Sequence, residues 1–187
     1  MTGNLVHGDH VSCSRVGGAM RRESSRLRQH AQSLVDALGD LAERPGPDTE
    51  TSRTEMAAMA AIATSLRALR ATADDLDEAG AALQRYATDL AEGHELGRRA
   101  ERRVEAAGVL LEGTRVIEPW GPASAQEAER RRAQVPEVQS RVDLATAHVG
   151  RARGRLVREM TRLTEGFSAH SRDAHSARQA SLPPRGS

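Results

Sequence analysis

Four acidic residues in the middle of the chain are the first candidates for chemistry. They are Asp74, Asp75, Asp77 and Glu78. Neighbouring carboxylates act as general acid and base when a cleft raises the pKa of one of them. These four, however, lie on a predicted helix, between its apolar positions. We therefore interpret them as a solvated helix face and predict no catalytic residue.

The histidines and the single cysteine lack the spacing of a metal site. No His-Glu-x-x-His pair and no Cys/His cluster is present. The histidines are His7, His10, His30, His94, His148, His170 and His175. Cys13 is the only cysteine, so no internal disulfide can form. Nucleotide-binding loops and the Gly-x-Ser-x-Gly motif are also missing. We predict that the protein is not an enzyme and uses no metal and no cofactor.

Arginine supplies all 27 basic residues and is frequent in the last third of the chain. Arginines on a helix can follow the phosphates of a nucleic acid. Here glutamates interleave with them, no aromatic rings alternate with them, and the net charge is only +1. A solvated helix face is the favoured interpretation. The alternative function is a nucleic-acid-associated or regulatory coiled-coil protein that uses this arginine-rich third helix.

The element that positions the acidic residues is a long amphipathic helix predicted from Thr51 to Gly108. Pro45-Gly46-Pro47 separates it from what precedes, and Ser52 and Glu55 have capping-box spacing. Its apolar or small residues recur at steps of three and four, which places them on one side. They are Met59, Ile62, Leu66, Leu69, Ala73, Leu76, Gly80, Leu83, Ala87 and Leu90. After Leu90 glycines loosen the pattern, and we expect a change of packing near Gly93.

A first helix is predicted to cover the front half of the long one as an antiparallel hairpin. It begins at Asp9 or Ser12, after a loose start up to Gly8, and runs to about Glu43. One position of its apolar stripe is skipped, around Glu23 and Ser24. The stripe consists of Val16, Met20, Leu27, Ala31, Leu34, Leu38 and Leu41.

A third helix is predicted to return along the back half, with Ser124 as its N-cap. Pro136 should kink it or mark the start of its regular part. Its stripe is Val135, Val138, Val142, Ala145, Val149, Ala152, Leu156, Met160, Leu163 and Phe167. Residues 169–187 show no periodicity and are predicted to be a disordered tail.

A small β-hairpin is predicted before the third helix. Two short apolar runs between Val109 and Glu118 flank Glu112-Gly113, a pair suited to a tight turn. The alternative is that the long helix continues to Glu118. Trp120 follows, and two roles are open for it. It could close the end of the bundle, which is the ordinary interpretation, or it could anchor a partner, since aromatic residues are enriched at binding hot spots.

Together these elements predict a mainly α fold, an elongated antiparallel bundle of three long helices with a small β-hairpin before the third. The predicted segments are a helical hairpin over 9–95, the back half with the third helix over 96–168, and the tail. Trp120, Tyr86 and Phe167 are the only aromatic residues. Such a composition suits narrow seams between helices better than a thick core.

The first two helices resemble the WXG-type helical-hairpin proteins of bacterial type VII secretion, as found in actinobacteria. The resemblance lies in Val16-Gly17-Gly18-Ala19-Met20-Arg21-Arg22, in 66–71 and in 81–91, and 111–121 resembles the connector of longer relatives. It implies pairing with a related helical protein and a link to secretion. Two family features differ. Pro45-Gly46-Pro47 stands at the Trp-x-Gly turn, and Leu90 stands four residues after Tyr86, where the secretion signal has an acidic residue.

The function predicted from these observations is a non-enzymatic helical interaction protein, a substrate or partner associated with type VII secretion. Its expected partner is itself or a related helical protein, with the secretion machinery as a further partner and nucleic acid not expected. The candidate docking residues are Trp120, Tyr86, Met160 and Phe167. The first residues show neither a basic nor an apolar leader region, and no apolar run reaches the length of a membrane span. We expect a cytoplasmic location, or export without a cleavable signal peptide.

Overall fold

The computed structural model describes residues 5–42 and 51–180. Three helices and two strands follow one another in the order α1 (His10–Ala42), α2 (Thr51–Ala107), β1 (Leu110–Glu112), β2 (Arg115–Ile117) and α3 (Ala125–Ala180). This order confirms the predicted fold class, mainly α with a hairpin before the third helix. Over the two described ranges, no helix is both long enough and apolar enough to cross a membrane.

Asp9 is the N-cap of α1. Its carboxylate accepts the Val11 N–H at 2.9 Å and the Ser12 hydroxyl at 2.5 Å. The Ser12 hydroxyl bond lowers the pKa of Asp9 the most. Of the two predicted caps, Asp9 is therefore the correct one. The predicted end at Glu43 and the turn at Pro45-Gly46-Pro47 lie outside the described residues.

The C-terminus of α2 is closed by Gly108, which has a positive φ of 63°. The Gly108 N–H donates to the Glu105 carbonyl at 3.0 Å, and the Val109 N–H donates to the Val104 carbonyl at 3.3 Å. This pair of bonds is the Schellman motif, which uses glycine because a side chain is strained at positive φ. The long helix was thus predicted correctly to within one residue, and its alternative continuation to Glu118 is wrong.

The hairpin is a two-stranded antiparallel sheet in which Leu111 pairs with Val116 and Glu112 with Arg115. Gly113 and Thr114 form its loop, and Gly113 has a φ of 60°. The glycine takes the positive φ that a two-residue loop requires. The turn therefore lies one residue later than the predicted Glu112-Gly113.

Ser124 caps α3, as predicted. Its Oγ accepts the Glu127 N–H at 3.2 Å. The helix already includes the eleven residues before Pro136 and continues beyond it, so Pro136 does not mark the start of its regular part, and the predicted kink stays a prediction. It ends at Ala180, so a disordered tail is wrong for 169–180, and 181–187 lie outside the description. Tertiary packing stabilises these turns, since His170 Nε2 lies 3.3 Å from Asp75 Oδ2 on α2.

The chain folds into two compact units. The hairpin unit comprises Leu83–Val157 and the N-terminal segment up to Arg15, and the acidic unit comprises Val16–Ala82 and the chain from Arg158 onward. The predicted segments 9–95 and 96–168 do not coincide with them. In the prediction, α1 alone covered the front half of α2. In the structure α3 also contacts that half, and the division falls at Leu83 rather than near Gly93.

The core of the hairpin unit is rich in valine. It closes the space between the C-terminal part of α2, the two strands and the N-terminal part of α3. Leu5, Leu111 and Val135 pack against it while partly buried. Its buried members are Ala100, Val104, Ala107, Val109, Val116, Val138 and Val142.

The core of the acidic unit is made mostly of small residues, so its helices approach closely. A Cβ added at Gly80 would lie 2.6 Å from the Gly17 carbonyl oxygen on α1. Ser24 fills the skipped position of the α1 stripe and is fully buried, while Val16 and Leu34 of the predicted stripe are exposed. The buried apolar members are Ala31, Leu66, Ala73, Ala79, Ala82 and Leu163.

Candidate interaction site

The four acidic residues connect helices within the acidic unit. Two of them pair with arginines of α1, Asp74 with Arg28 at 2.9 Å and Asp77 with Arg21 at 3.1 Å. The other two face α3, where Glu78 pairs with Arg162 and Asp75 Oδ2 lies 3.3 Å from His170 Nε2. The exposed arginine–carboxylate pairs each contribute about 0–1 kcal/mol, whereas Asp75 is only 16% exposed. Their spacing therefore serves to set the register of α2 against its neighbours.

The histidines of the described residues do not form a metal cluster. No group of three or more His, Cys, Asp or Glu side chains in the described part of the chain could hold a metal ion. Instead, they contact other segments singly or as a pair, since the rings of His10 and His94 lie 5.9 Å apart. His148 Nε2 lies 3.1 Å from the Asp89 carbonyl, and His94 Nε2 lies 3.0 Å from the Gly8 carbonyl.

Many arginines of α3 are engaged by carboxylates. Arg155 pairs with Asp89 on α2 at 2.9 Å. Glu137 accepts bonds from Arg103 of α2 and from Arg141. Hydrogen bonds from these two guanidinium groups, Arg103 first, lower the pKa of Glu137. Pairing leaves less positive charge for a phosphate backbone, and nucleic-acid binding stays a prediction without an observation in its favour.

Trp120 is 97% exposed. Its predicted role as a plug for the end of the bundle is wrong, because Val109 and Val116 of the hairpin already occupy that part of the core. Exposing a whole indole to water is unfavourable, and large exposed apolar groups often mark interaction sites. The connector between β2 and α3 thus presents an exposed indole.

The hairpin before Trp120 is fixed to α3 by the side-chain amide of Gln139. Its Oε1 accepts the Val116 N–H at 2.7 Å, and its Nε2 donates to the Thr114 carbonyl at 2.9 Å. The amide therefore satisfies an outward-facing donor of β2 and the acceptor of the loop residue just before it, as a third strand would. An ion pair of Arg132 with Glu118 at 3.2 Å adds to this attachment. Trp120 consequently extends from a well-anchored segment.

The other three predicted docking residues are not exposed in this way. Tyr86 is half-buried on α2 in the hairpin unit, and Met160 and Phe167 are half-buried on α3 in the acidic unit. Met160 and Phe167 are seven residues apart and so lie on one face of α3. They belong to the seam that the stripe predicted. The four residues do not form one common patch in either unit.

The acidic unit contains an open groove of about 570 Å³ between α2 and α3. Alanine and serine side chains make up most of its lining, with Ile62 and His175 beside them. The lining residues are Ala58, Ala61, Ile62, Ser65, Ser171, Ala174 and His175. Met56 and Met59, on the same stretch of α2, are 63% and 46% exposed. Sequence analysis missed this groove because the 169–187 segment was predicted to be disordered.

A second site that sequence analysis missed is occupied by the chain itself. We call residues 5–8 the N-terminal strap. Val6 is only 3% exposed, and its Cγ2 would lie 3.2 Å from a Cβ added at Gly97. The Leu5 N–H donates to Glu101 Oε1 at 2.9 Å. The predicted loose start is therefore wrong for residues 5–8, because an apolar side chain fits the notch at Gly97, and residues 1–4 lie outside the described residues.

Comparison with known proteins gives no relative for this chain. No protein-family model, no curated protein and no solved structure matches it at a significant level.

Proposed function

We propose that this protein is a non-enzymatic helical interaction protein whose main docking anchor is Trp120. The observation that carries the proposal is the 97% exposure of this indole on a connector that Gln139 and Arg132 hold in place. Tryptophan is enriched at binding hot spots because it buries a large area at a low cost in conformational entropy. A rigid base lowers that cost further.

The proposed partner is helical, either a second copy or a related protein. The open groove of the acidic unit supports this class of partner. Its small lining residues would allow an apolar face of a helix to approach α2 and α3 closely, as in other helix-in-groove complexes. The exposed Met56 and Met59 add flexible apolar contacts suited to such a surface.

Trp120 is the only tryptophan, so its fluorescence tests the proposal directly. The protein should be titrated with itself and with helical proteins encoded by neighbouring genes, while emission and acrylamide quenching are recorded. Burial of the indole should shift emission to shorter wavelength and reduce quenching. Trp120→Ala should weaken the same complex by ~30-fold or more, which corresponds to about 2 kcal/mol at a hot spot.

Leu144→Ala is the matched control for that experiment. Leu144 is 54% exposed on α3 of the hairpin unit, so its truncation removes apolar surface without touching the connector. The complex should keep its affinity within about threefold, in line with the small effect of most contact residues. Equal losses in both variants, or binding with unchanged emission, would argue against Trp120 as the anchor.

We further propose a link to type VII secretion, which rests on the resemblance of 9–95 to the WXG-type hairpin proteins. The α1–α2 pair of the acidic unit is consistent with such a hairpin, since Arg28 pairs with Asp74 and Arg21 with Asp77 in antiparallel order. The test is quantitative mass spectrometry of culture filtrates, with and without the secretion ATPase. Equal export from both strains would remove this link and leave the interaction proposal intact.

A further inference from the structure

The strap fills a groove on the hairpin unit as a peptide ligand would. Val6 inserts at Gly97, and Leu5 packs beside it against the valine-rich core. Gly8 lies directly over Leu90, because a Cβ added there would be 2.9 Å from Leu90 Cδ2. The groove therefore has two apolar subsites and one position that admits only a glycine.

Polar side chains at both ends of the groove form hydrogen bonds with the backbone of the strap. Glu101 accepts the Leu5 N–H at 2.9 Å, and His94 Nε2 donates to the Gly8 carbonyl at 3.0 Å. The ring of His10 lies 5.9 Å from that of His94 and covers one side of it. Backbone contacts of this kind hold a peptide segment whatever its side chains, while the two subsites select those side chains.

Few contacts retain the strap. Within the described part of the chain, its hydrogen bonds go to the side chains Glu101 and His94, and of its side chains Val6 alone is buried. Gly8 has a φ of 131°, immediately before the Asp9 cap of α1, so the backbone can pivot there while α1 stays in place. Such a segment opens locally more easily than the core beneath it.

We propose that the groove formed by Leu90, His94, Gly97 and Glu101 is a peptide-binding site for a segment of another protein, and that the strap is its built-in competitor. The ligand is a short segment with two adjacent aliphatic residues and a glycine two positions further on, the pattern of Leu5-Val6-His7-Gly8. The strap shows that this pattern fits. A segment of another protein can bind only after the strap has left the groove, so the strap lowers the apparent affinity for that segment.

The test uses a fluorescein-labelled peptide with the sequence of residues 2–9 and the full chain in two variants that loosen the strap. Val6→Asp places a charge in the apolar notch, and Gly8→Ala forces a side chain onto Leu90 at a positive φ. Fluorescence polarisation should show at least tenfold tighter binding by each variant than by the unaltered chain. Circular dichroism confirms that the helices persist, and Gly8→Ala serves as the receptor should Val6→Asp disturb folding.

Two controls locate the binding. The same peptide with Val6→Asp should lose at least tenfold in affinity for the loosened receptors. Adding Gly97→Leu to the Gly8→Ala chain should abolish binding, because the leucine occupies the notch. The proposal is overturned by equal binding of the peptide to the unaltered and the loosened chains, by no binding to any of them, or by binding that survives Gly97→Leu. Dimers of the unaltered chain in light scattering, dissolved by Val6→Asp, would instead assign the groove to exchange between copies.

Discussion

The two units differ in their cores rather than in their ion pairs, since ion pairs between helices occur in both, such as Arg155–Asp89 in the hairpin unit and Arg28–Asp74 in the acidic unit. In the hairpin unit a cluster of valines and alanines is sealed by two strands and the strap. In the acidic unit exposed ion pairs surround a narrow seam of small residues, and a groove of about 570 Å³ remains open. Apolar burial contributes roughly 25 cal/mol per Å², whereas an exposed ion pair contributes about 0–1 kcal/mol.

This difference predicts which unit can rearrange its helices and which unit is rigid. The hairpin unit provides a firm base for Trp120, because Gln139 and the valines fix the connector. The acidic unit gains less from each contact and has space into which it can rearrange. We therefore expect the acidic unit to open first under denaturant and the hairpin unit to define global stability.

The largest expected effect comes from truncating a fully buried leucine in each unit. Leu90 is 0% exposed in the hairpin unit and Leu163 is 1% exposed in the acidic unit. Leu90→Ala should cost about 3–5 kcal/mol, since the packed core and the strap over Leu90 cannot collapse into the cavity. Leu163→Ala should cost about 2–3 kcal/mol, because the open groove gives the unit room to relax.

Urea unfolding combined with hydrogen exchange measures both losses and assigns each to a unit. Protection should fall along 83–107 of α2 after Leu90→Ala, and along 60–82 after Leu163→Ala. Equal costs for the two variants, or a uniform loss of protection in both, would show that the units do not differ in the way proposed.

Glycines at helix contacts give the next largest effect. A Cβ at Gly80 meets the Gly17 backbone oxygen at 2.6 Å, whereas a Cβ at Gly93 meets the Val149 side chain at 2.3 Å. Backbone cannot rotate aside, so Gly80→Ala should destabilise the acidic unit by about 1–3 kcal/mol despite the better helix propensity of alanine. Gly93→Ala should destabilise the hairpin unit as well, because Val149 is β-branched and stiff at χ1 in a helix, so it cannot move aside freely.

Gly39 and Gly150 provide matched controls for those two substitutions. Both lie inside helices, and a Cβ added at either meets nothing within 4 Å among the described residues. Gly39→Ala and Gly150→Ala should each stabilise the protein by about 0.5–1 kcal/mol, the gain in helix propensity alone. Thermal denaturation followed by circular dichroism distinguishes the signs. A destabilising Gly39→Ala would mean that α1 is not a regular exposed helix at that point.

A smaller and stabilising effect is expected at Ser24. Its side chain is fully buried in the acidic unit, and within the described structure its Oγ has no hydrogen-bond partner. Ser24→Ala should raise stability by about 1 kcal/mol, since it removes the cost of desolvating that hydroxyl. Ser25→Ala is the control, because Ser25 is exposed and already bonds to the Arg21 carbonyl at 3.1 Å. Destabilisation by Ser24→Ala would reveal a bond to water or to a partner.

The smallest expected effect is a change in how strongly the stability depends on pH. Arginine hydrogen bonds lower the pKa of Glu137 and of Glu95 in the folded hairpin unit. A carboxyl whose folded pKa is depressed adds stability above its unfolded pKa, about 4.3 for glutamate, and that stability is lost as the pH falls through the folded pKa. Melting temperatures between pH 7 and pH 3 should decline less steeply for Glu137→Gln than for the unaltered chain. Identical slopes would place the acid sensitivity elsewhere.

Local signals predicted the helices, their caps and the hairpin. Ser124 and Asp9 are N-caps, Gly108 ends α2, and Gly113 reverses the chain in the hairpin. The sequence reveals these features because each signal acts on residues within a few positions of itself. The stripe of α3 also predicted the buried Val138 and Val142. The candidate docking residues could be named in the same way, but the exposure of Trp120 depends on how the hairpin packs.

The longer-range features depended on contacts that periodicity does not reveal. The end of α3 lacks an apolar stripe, and its helix is supported by His170 opposite Asp75. The strap is too short to show any period, and its place follows from the notch at Gly97 far along the chain. The glycines after Leu90 were the available signal, since they indicate close approach of another segment.

For the acidic residues, the sequence alone determined that they lie on one stretch of a helix, between apolar positions. Helix geometry decides this, because it depends only on the spacing of neighbours. Only the tertiary structure decided their role, as α1 brings Arg21 and Arg28 to one side of α2 and α3 brings Arg162 to the other. Whether a carboxylate acts as a catalyst, a metal ligand or an ion-pair partner depends on the charges around it and on its exposure to solvent. Distant segments of the chain determine both.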